Sequence, residues 1–85
     1  MAIEMLYFAW VREQIGVGHE RVTPPAGVAD VAGLIDWLAT TSEGHAGALA
    51  DRSRLRAAID QRFVQLDAPI AGAREIAIFP PVTGG

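Results

Sequence analysis

Residues 28–38, VADVAGLIDWL, are the stretch that decides the fold. Their apolar side chains recur three and four positions apart, the spacing of one face of an α-helix, while Asp30 and Asp36 fall on the other face. The stretch therefore predicts one main amphipathic helix, whose buried stripe is formed by Val28, Val31, Leu34, Ile35 and Leu38.

Extended segments surround this helix. Alternating or continuous apolar residues predict strands at 3–8, 19–23, 55–59, 63–66 and 74–79. A short helix is predicted at 9–15, because Gly16 is a suitable C-cap. Residues 40–54 are polar, rich in glycine and poorly patterned, which predicts a loop with one helical turn near 46–50.

One main helix and one sheet make a two-layer α+β sandwich. The order of the elements favours the β-grasp, or ubiquitin-like, arrangement: a mixed sheet of four or five strands in which the first and last strands are neighbours. The two faces of that sheet differ. Ile3, Met5 and Tyr7 share one face with Ile76 and Ile78, and the opposite face carries Phe8 and Phe79.

If the helix covers the first of these faces, the phenylalanines on the other are exposed, and an exposed apolar cluster marks a partner site. The sequence therefore predicts one apolar patch of Phe8, Phe63 and Phe79, on the face away from the helix and next to the last strand's end.

Length and composition exclude several classes of protein. Eighty-five residues suffice for one small domain, and the absence of cysteine excludes disulfides and thiolate catalysis. Ten acidic against seven basic residues argue against nucleic-acid binding. No apolar run is long enough to span a membrane, and the first residues lack the basic start of a secretory signal, so a cytoplasmic location is expected.

Other candidate sites are weaker. His19 and His45 have no companion ligands, so we predict that both are exposed and that no metal is bound. No Ser-His-Asp set suggests a catalytic triad, and residues 16–18 lack the spacing of a phosphate-binding loop. The arginines at 52, 54, 56 and 62 predict a solvated face, with a patch for an acidic partner as the alternative.

The sequence ends in a segment of different character, Pro80-Pro81-Val82-Thr83-Gly84-Gly85. Two prolines cannot continue a central strand, so the chain is expected to leave the domain (1–79) as an extended tail (80–85). Two glycines make a thin tip that suits a carboxylate inserted into another protein's active site. Since the chain has no lysine, any attachment to another molecule would use its own C-terminus.

Three segments carry a family resemblance: MLYFAWVREQIG (5–16), the Asp60-Gln61 hairpin and IFPPVTGG (78–85). Together they resemble the small, sulfur-carrying subunit of molybdopterin synthase. The likeness is weakest at 40–54, and the last loop departs from the family, since 71–75 read AGARE where an acidic Asp-Gly-Asp-Glu is common.

The resemblance implies a β-grasp fold and a carrier that is not itself an enzyme and binds no cofactor. A partner similar to ubiquitin-activating enzymes would use ATP to adenylate Gly85, with Gly84 as its slender neighbour, and Gly85 would become a thiocarboxylate. The large synthase subunit, in a complex of two large and two small subunits, would receive the tail and pass the sulfur to cyclic pyranopterin monophosphate. The implied partner contacts are Phe8, Arg12, Phe63, Phe79, Pro80, Pro81, Val82 and Thr83.

Three other functions stay open at this point. A carrier for thiazole or cysteine synthesis would share the fold and the Gly-Gly end. A ubiquitin-like modifier would join its terminus to lysines of target proteins. A plain interaction module would have an incidental tail, and it would not acquire sulfur from an activating enzyme and ATP.

Overall fold

The computed structural model describes residues 2–81, which form a mixed five-stranded sheet with helices on one side. In chain order the elements are β1 (Ile3–Tyr7), α1 (Ala9–Ile15), β2 (His19–Val22), α2 (Val31–Leu38), α3 (Glu43–Ala48), one 3-10 turn (Arg52–Arg54), β3 (Arg56–Ile59), β4 (Arg62–Val64) and β5 (Glu75–Phe79).

The strand order is β2-β1-β5-β3-β4. The first and last strands, β1 and β5, lie side by side and parallel at the centre, and every other pairing is antiparallel. The predicted α+β sheet with adjacent first and last strands is therefore confirmed, with five strands. Because β1 and β5 run in the same direction, their last residues lie at the same end of the sheet.

The core lies between the sheet and α2. Alternate residues of the two central strands point toward the helix and are almost completely buried, as the alternation predicted: Ile3, Met5, Tyr7, Ile76 and Ile78. They meet the buried stripe of α2, formed by Val31, Leu34, Ile35 and Leu38. Burial of each such side chain contributes about 1.5–3 kcal/mol, so this contact dominates the stability of the domain.

The main helix is shorter than its apolar pattern suggests. It begins at Val31 because Asp30 is its N-cap: the Asp30 Oδ1 atom accepts a hydrogen bond from the Gly33 amide at 2.8 Å. Val28 lies before the helix but still packs against the core.

Residues 40–54 contain more helix than the single turn predicted near 46–50, because α3 covers Glu43–Ala48. Ser42 caps this helix by accepting a hydrogen bond from the His45 amide at 3.1 Å. The glycines that suggested a loop instead permit close contact with α1. A Cβ atom at Gly44 would lie 2.7 Å from the backbone oxygen of Gln14, and one at Gly47 would lie 2.9 Å from the Gln14 side-chain nitrogen.

The predicted Asp60-Gln61 turn joins β3 to β4, and both residues have positive φ angles, 49° and 72°. Two such residues are typical of the tight hairpin turn that matches strand twist. The Asp60 Oδ1 atom also accepts hydrogen bonds from the amides of Arg74 (3.1 Å) and Glu75 (2.9 Å). The hairpin therefore fixes the start of β5.

Candidate functional site

The sheet face away from α2 is open, and a row of residues from four strands crosses it. Leu6, Ala77, Ala58 and Phe63 are successive partners in the register of β1, β5, β3 and β4. The two alanines are too small to fill the space between their larger neighbours. They consequently form the floor of a groove of about 580 Å³.

Phe8, Phe63 and Phe79 form the walls of this groove, and we call them the aromatic patch. Phe63 is 82% exposed, Phe8 is 49% exposed and Phe79 is half-buried. The rings of Phe63 and Phe79 are in contact, with centroids 5.6 Å apart. The structure thus brings the three predicted phenylalanines together on the predicted face; their role in binding stays a prediction.

The aromatic patch lies where the chain leaves the sheet. Strand β5 ends at Phe79, and Pro80 and Pro81 follow outside the sheet. Pro81 lines a second depression together with Phe63, Phe79 and Arg56. The remaining predicted tail residues, Val82, Thr83, Gly84 and Gly85, lie outside the described residues.

Arg12 lies on α1, near the end of the sheet where the chain leaves it. It is exposed and lines a depression with Phe8 and Gly18. The Arg12 side chain passes so close to Gly18 that a Cβ atom there would lie 3.1 Å from its Nε atom. Among residues 2–81 no carboxylate forms an ion pair with Arg12, so its charge is available to a partner.

The four arginines grouped by the sequence have different environments. Arg52 forms an ion pair with Asp36, and the Arg54 guanidinium lies 4.6 Å from the centre of the Trp10 ring. Arg56 and Arg62 are exposed on β3 and β4. They therefore do not act as one patch.

A buried polar network was not predicted. Glu20 on β2 accepts a hydrogen bond from the Tyr7 hydroxyl at 2.7 Å, and the same Oε2 atom lies 2.5 Å from Nε2 of His45. The other ring nitrogen of His45 lies 2.6 Å from the Ser42 hydroxyl. Every polar atom of the imidazole thus has a partner, and His45, predicted to be exposed, is 7% exposed.

Burial and the neighbouring Glu20 carboxylate raise the pKa of the Tyr7 hydroxyl far above its usual range. The phenol is consequently neutral, keeps its proton and donates a hydrogen bond to Glu20. The network joins β1, β2 and α3, and it lies on the helix side of the sheet, because Tyr7 alternates with Leu6 and Phe8. It supports the fold behind the groove and does not line the groove.

Residues 2–81 contain no group of three His, Asp or Glu side chains that could hold a metal ion. In the same part of the chain, no helix has the length and apolar character needed to cross a bilayer.

Comparison with known proteins identifies the family. Residues 5–85 match the ThiS family. The chain belongs to this family. The molybdopterin synthase sulfur carrier subunit of Escherichia coli is 41% identical over 83 residues, which cover 98% of this chain and 99% of that protein. The subunit of the same name from Haemophilus influenzae is 35% identical, with the same coverage of both chains.

A solved structure has a similar fold. The crystal structure of SAMP1 from Haloferax volcanii superposes with a TM-score of 0.72 and 28% identity, and the match covers 100% of both chains. The resemblance seen in the sequence is therefore confirmed, as is the β-grasp fold.

Proposed function

We propose that this chain is the sulfur carrier subunit of a molybdopterin synthase. The observation that supports this most strongly is the likeness over nearly the whole chain to relatives of that name, including 41% identity to the protein of E. coli. The geometry supports it too, because an exposed aromatic patch lies beside the point where the Gly-Gly tail leaves the sheet. In this proposal the domain (1–79) binds a partner while the tail (80–85) enters the partner's active site.

The proposed chemistry takes place at the carboxylate of Gly85. A free carboxylate is a poor acyl donor, because its leaving group would be oxide. Attack by this carboxylate on the α-phosphorus of ATP releases pyrophosphate and gives an acyl adenylate, in a reaction performed by an activating partner similar to ubiquitin-activating enzymes. A sulfide equivalent then displaces AMP and leaves a thiocarboxylate, whose sulfur is nucleophilic at neutral pH.

The thiocarboxylate sulfur then attacks cyclic pyranopterin monophosphate in the large subunit. Water hydrolyses the resulting bond between the Gly85 carbonyl and sulfur, so that the sulfur stays on the pterin and Gly85 returns to a carboxylate. Glycine at 84 and 85 offers the least steric obstruction to these steps. The chain itself supplies no catalytic side chain, so the proposal makes it a carrier without enzymatic activity of its own. It binds no cofactor, and it works in the cytoplasm in a complex of two large and two small subunits.

Intact-mass measurement tests the carrier function. The protein is incubated with its cognate activating enzyme, ATP and a sulfur source, and one oxygen should be replaced by sulfur. A variant lacking Gly85 is the matched control and should gain no sulfur. It should melt at the same temperature as the parent, because in the sequence Gly85 follows the last strand, which ends at Phe79. A parent protein that stays unmodified would contradict the proposal.

The aromatic patch is proposed to bind the large subunit. Phe63→Ala separates binding from folding well, because a side chain 82% exposed contributes little to the core. Loss of an aromatic anchor should weaken affinity by about 2 kcal/mol in titration calorimetry, and Phe79→Ala should do the same. Arg62→Ala is the matched control on the same strand, since Arg62 pairs with Ile59 and points to the opposite face. Equal affinities for all three variants would contradict the proposal.

The same assays separate the alternatives. A carrier for thiazole or cysteine synthesis would acquire sulfur but would not bind the large subunit. A ubiquitin-like modifier would appear as conjugates with target proteins, in which Gly85 is joined to lysine. An interaction module would neither acquire sulfur nor form conjugates.

A further inference from the structure

The two ends of the open sheet face differ in charge. Arg56 is the register partner of Phe79 at the end where the tail leaves, and Arg12 lies near Phe8 at that same end. At the other end Glu4 and Glu75 are register partners and Glu75 lines the groove. Glu4 is ion-paired with Arg21 there, and Arg74 lines a depression with both. The groove thus has a positive end at the tail, whereas acidic and basic side chains offset each other at the start of β5.

Arg56 points toward the groove side of the sheet. It is two residues from Ala58, which forms the groove floor, and alternate residues of a strand share a face. Arg56 also lines the depression that contains Phe63, Phe79 and Pro81. Arg56 therefore lies beside both the aromatic patch and the first residues of the tail.

The charge of Arg56 is not used within the domain. The Nη1 atom donates hydrogen bonds to two backbone oxygens, those of Leu55 (2.8 Å) and Ser53 (3.4 Å). Asp67 lines a depression with Arg56, yet among residues 2–81 no carboxylate forms an ion pair with it. Arg21 and Arg52, by contrast, are paired with Glu4 and Asp36. An exposed arginine has further donors, and its planar fork matches a carboxylate.

An apolar groove alone does not fix the orientation of a partner, since the hydrophobic effect is non-directional. Positive charge at one end does fix it, because a reversed partner would place its complementary carboxylates away from the arginines. Orientation matters here, since the proposed function requires the partner's active-site entrance to face the tail and not the far end of β5.

We infer that Arg56, together with Arg12, binds carboxylates that surround the tail entrance on the large subunit, and that this contact orients the two proteins for tail insertion. The inference rests on the proposed function and deepens it: the partner surface next to the tail entrance is acidic. Arg56 is a positioning residue, because it acts on the orientation of the complex and not on the reacting atoms.

The test compares Arg56→Gln with the parent in binding to the large subunit, measured as association rate and Kd at low and high salt. We expect about a fivefold weaker Kd at low salt, mostly through slower association, with a much smaller loss at high salt, as for an exposed ion pair. Arg56→Lys should recover part of the affinity. Arg74→Gln is the matched control, because Arg74 is exposed but precedes β5 at the far end.

A melting curve for each variant shows whether the fold is intact. Three results would each overturn the inference. The Kd of Arg56→Gln could lie within twofold of that of the parent, its loss of affinity could be the same at all salt concentrations, or Arg74→Gln could lose as much affinity. Failure of the proposed function gives a different result: the parent itself would not bind the large subunit and would not gain sulfur in the mass measurement.

Discussion

Replacing Glu20 by alanine should destabilise the fold strongly, although Glu20 is a partly exposed residue far from the tail. Its Oε2 atom is the common acceptor for the Tyr7 hydroxyl (2.7 Å) and for Nε2 of His45 (2.5 Å). Tyr7 is 1% exposed and His45 is 7% exposed, so both donors lose their partner in places that water reaches poorly.

The expected magnitude follows from these contacts. A hydrogen bond to a charged group contributes about 1.5–3 kcal/mol, and two such bonds are lost. The Glu20 side chain is 29% exposed, so the space that it leaves admits some water and rehydrates part of the loss. The free energy of unfolding should fall by about 3 kcal/mol, which for a domain of this size lowers Tm by roughly 15 °C.

Urea unfolding at neutral pH measures this change, with Glu13→Ala as the control for loss of an exposed acid. Tyr7→Phe removes only one of the two bonds and should cost about 1.5 kcal/mol. The variant with both Glu20→Ala and Tyr7→Phe should lose less free energy of unfolding than the sum of the two single losses, because both substitutions remove the same Tyr7–Glu20 hydrogen bond. A loss for Glu20→Ala no larger than that of the Glu13 control would refute the reasoning that the network supports the fold.

Three further predictions concern stability. The raised pKa of Tyr7 means that the folded state retains a proton that the unfolded state loses above about pH 10. The free energy of unfolding should therefore fall as pH rises beyond 10. Unfolding curves for Tyr7→Phe should show a smaller fall over the same pH range. Gln61→Gly should raise the unfolding free energy by up to about 1 kcal/mol, because φ is 72° there; an unchanged or lower value would contradict the strain. Gly44→Ala should cost about 1–3 kcal/mol by collision with the Gln14 carbonyl, whereas Gly27→Ala, with open space around it, should be neutral; equal melting temperatures would refute the close contact.

The sheet was predictable because its signals are local. Ile3, Met5 and Tyr7 alternate with less buried residues, so the pattern alone assigns their faces. In β5 the alternation is one of side-chain size, because Ile76 and Ile78 flank the small Ala77 and all three are buried. The open-face position of Phe8 and Phe79 follows from that alternation, and for this reason the amino-acid sequence was enough to locate the aromatic patch.

The full extent of α3 and the burial of His45 were missed because their causes are distant in sequence. Gly44 and Gly47 indicate a loop by composition, but they are helical because α1 packs against them. His45 is buried because its partner Glu20 lies 25 positions earlier on β2. The only local signal was Ser42 three residues before His45, the spacing of an N-cap.

The parallel pairing of β1 and β5 has a practical consequence for labelled proteins. Ala2 precedes β1 and Pro80 follows β5, so the two residues lie at opposite ends of the central strands. A fluorophore or an affinity handle joined before Ala2 would thus project away from the groove's positive end. Immobilisation through a handle before Ala2 would leave the opposite end of the sheet, where the tail begins, facing the solution. Capture experiments could then follow the attachment of sulfur to the tail and its docking without obstruction from the label.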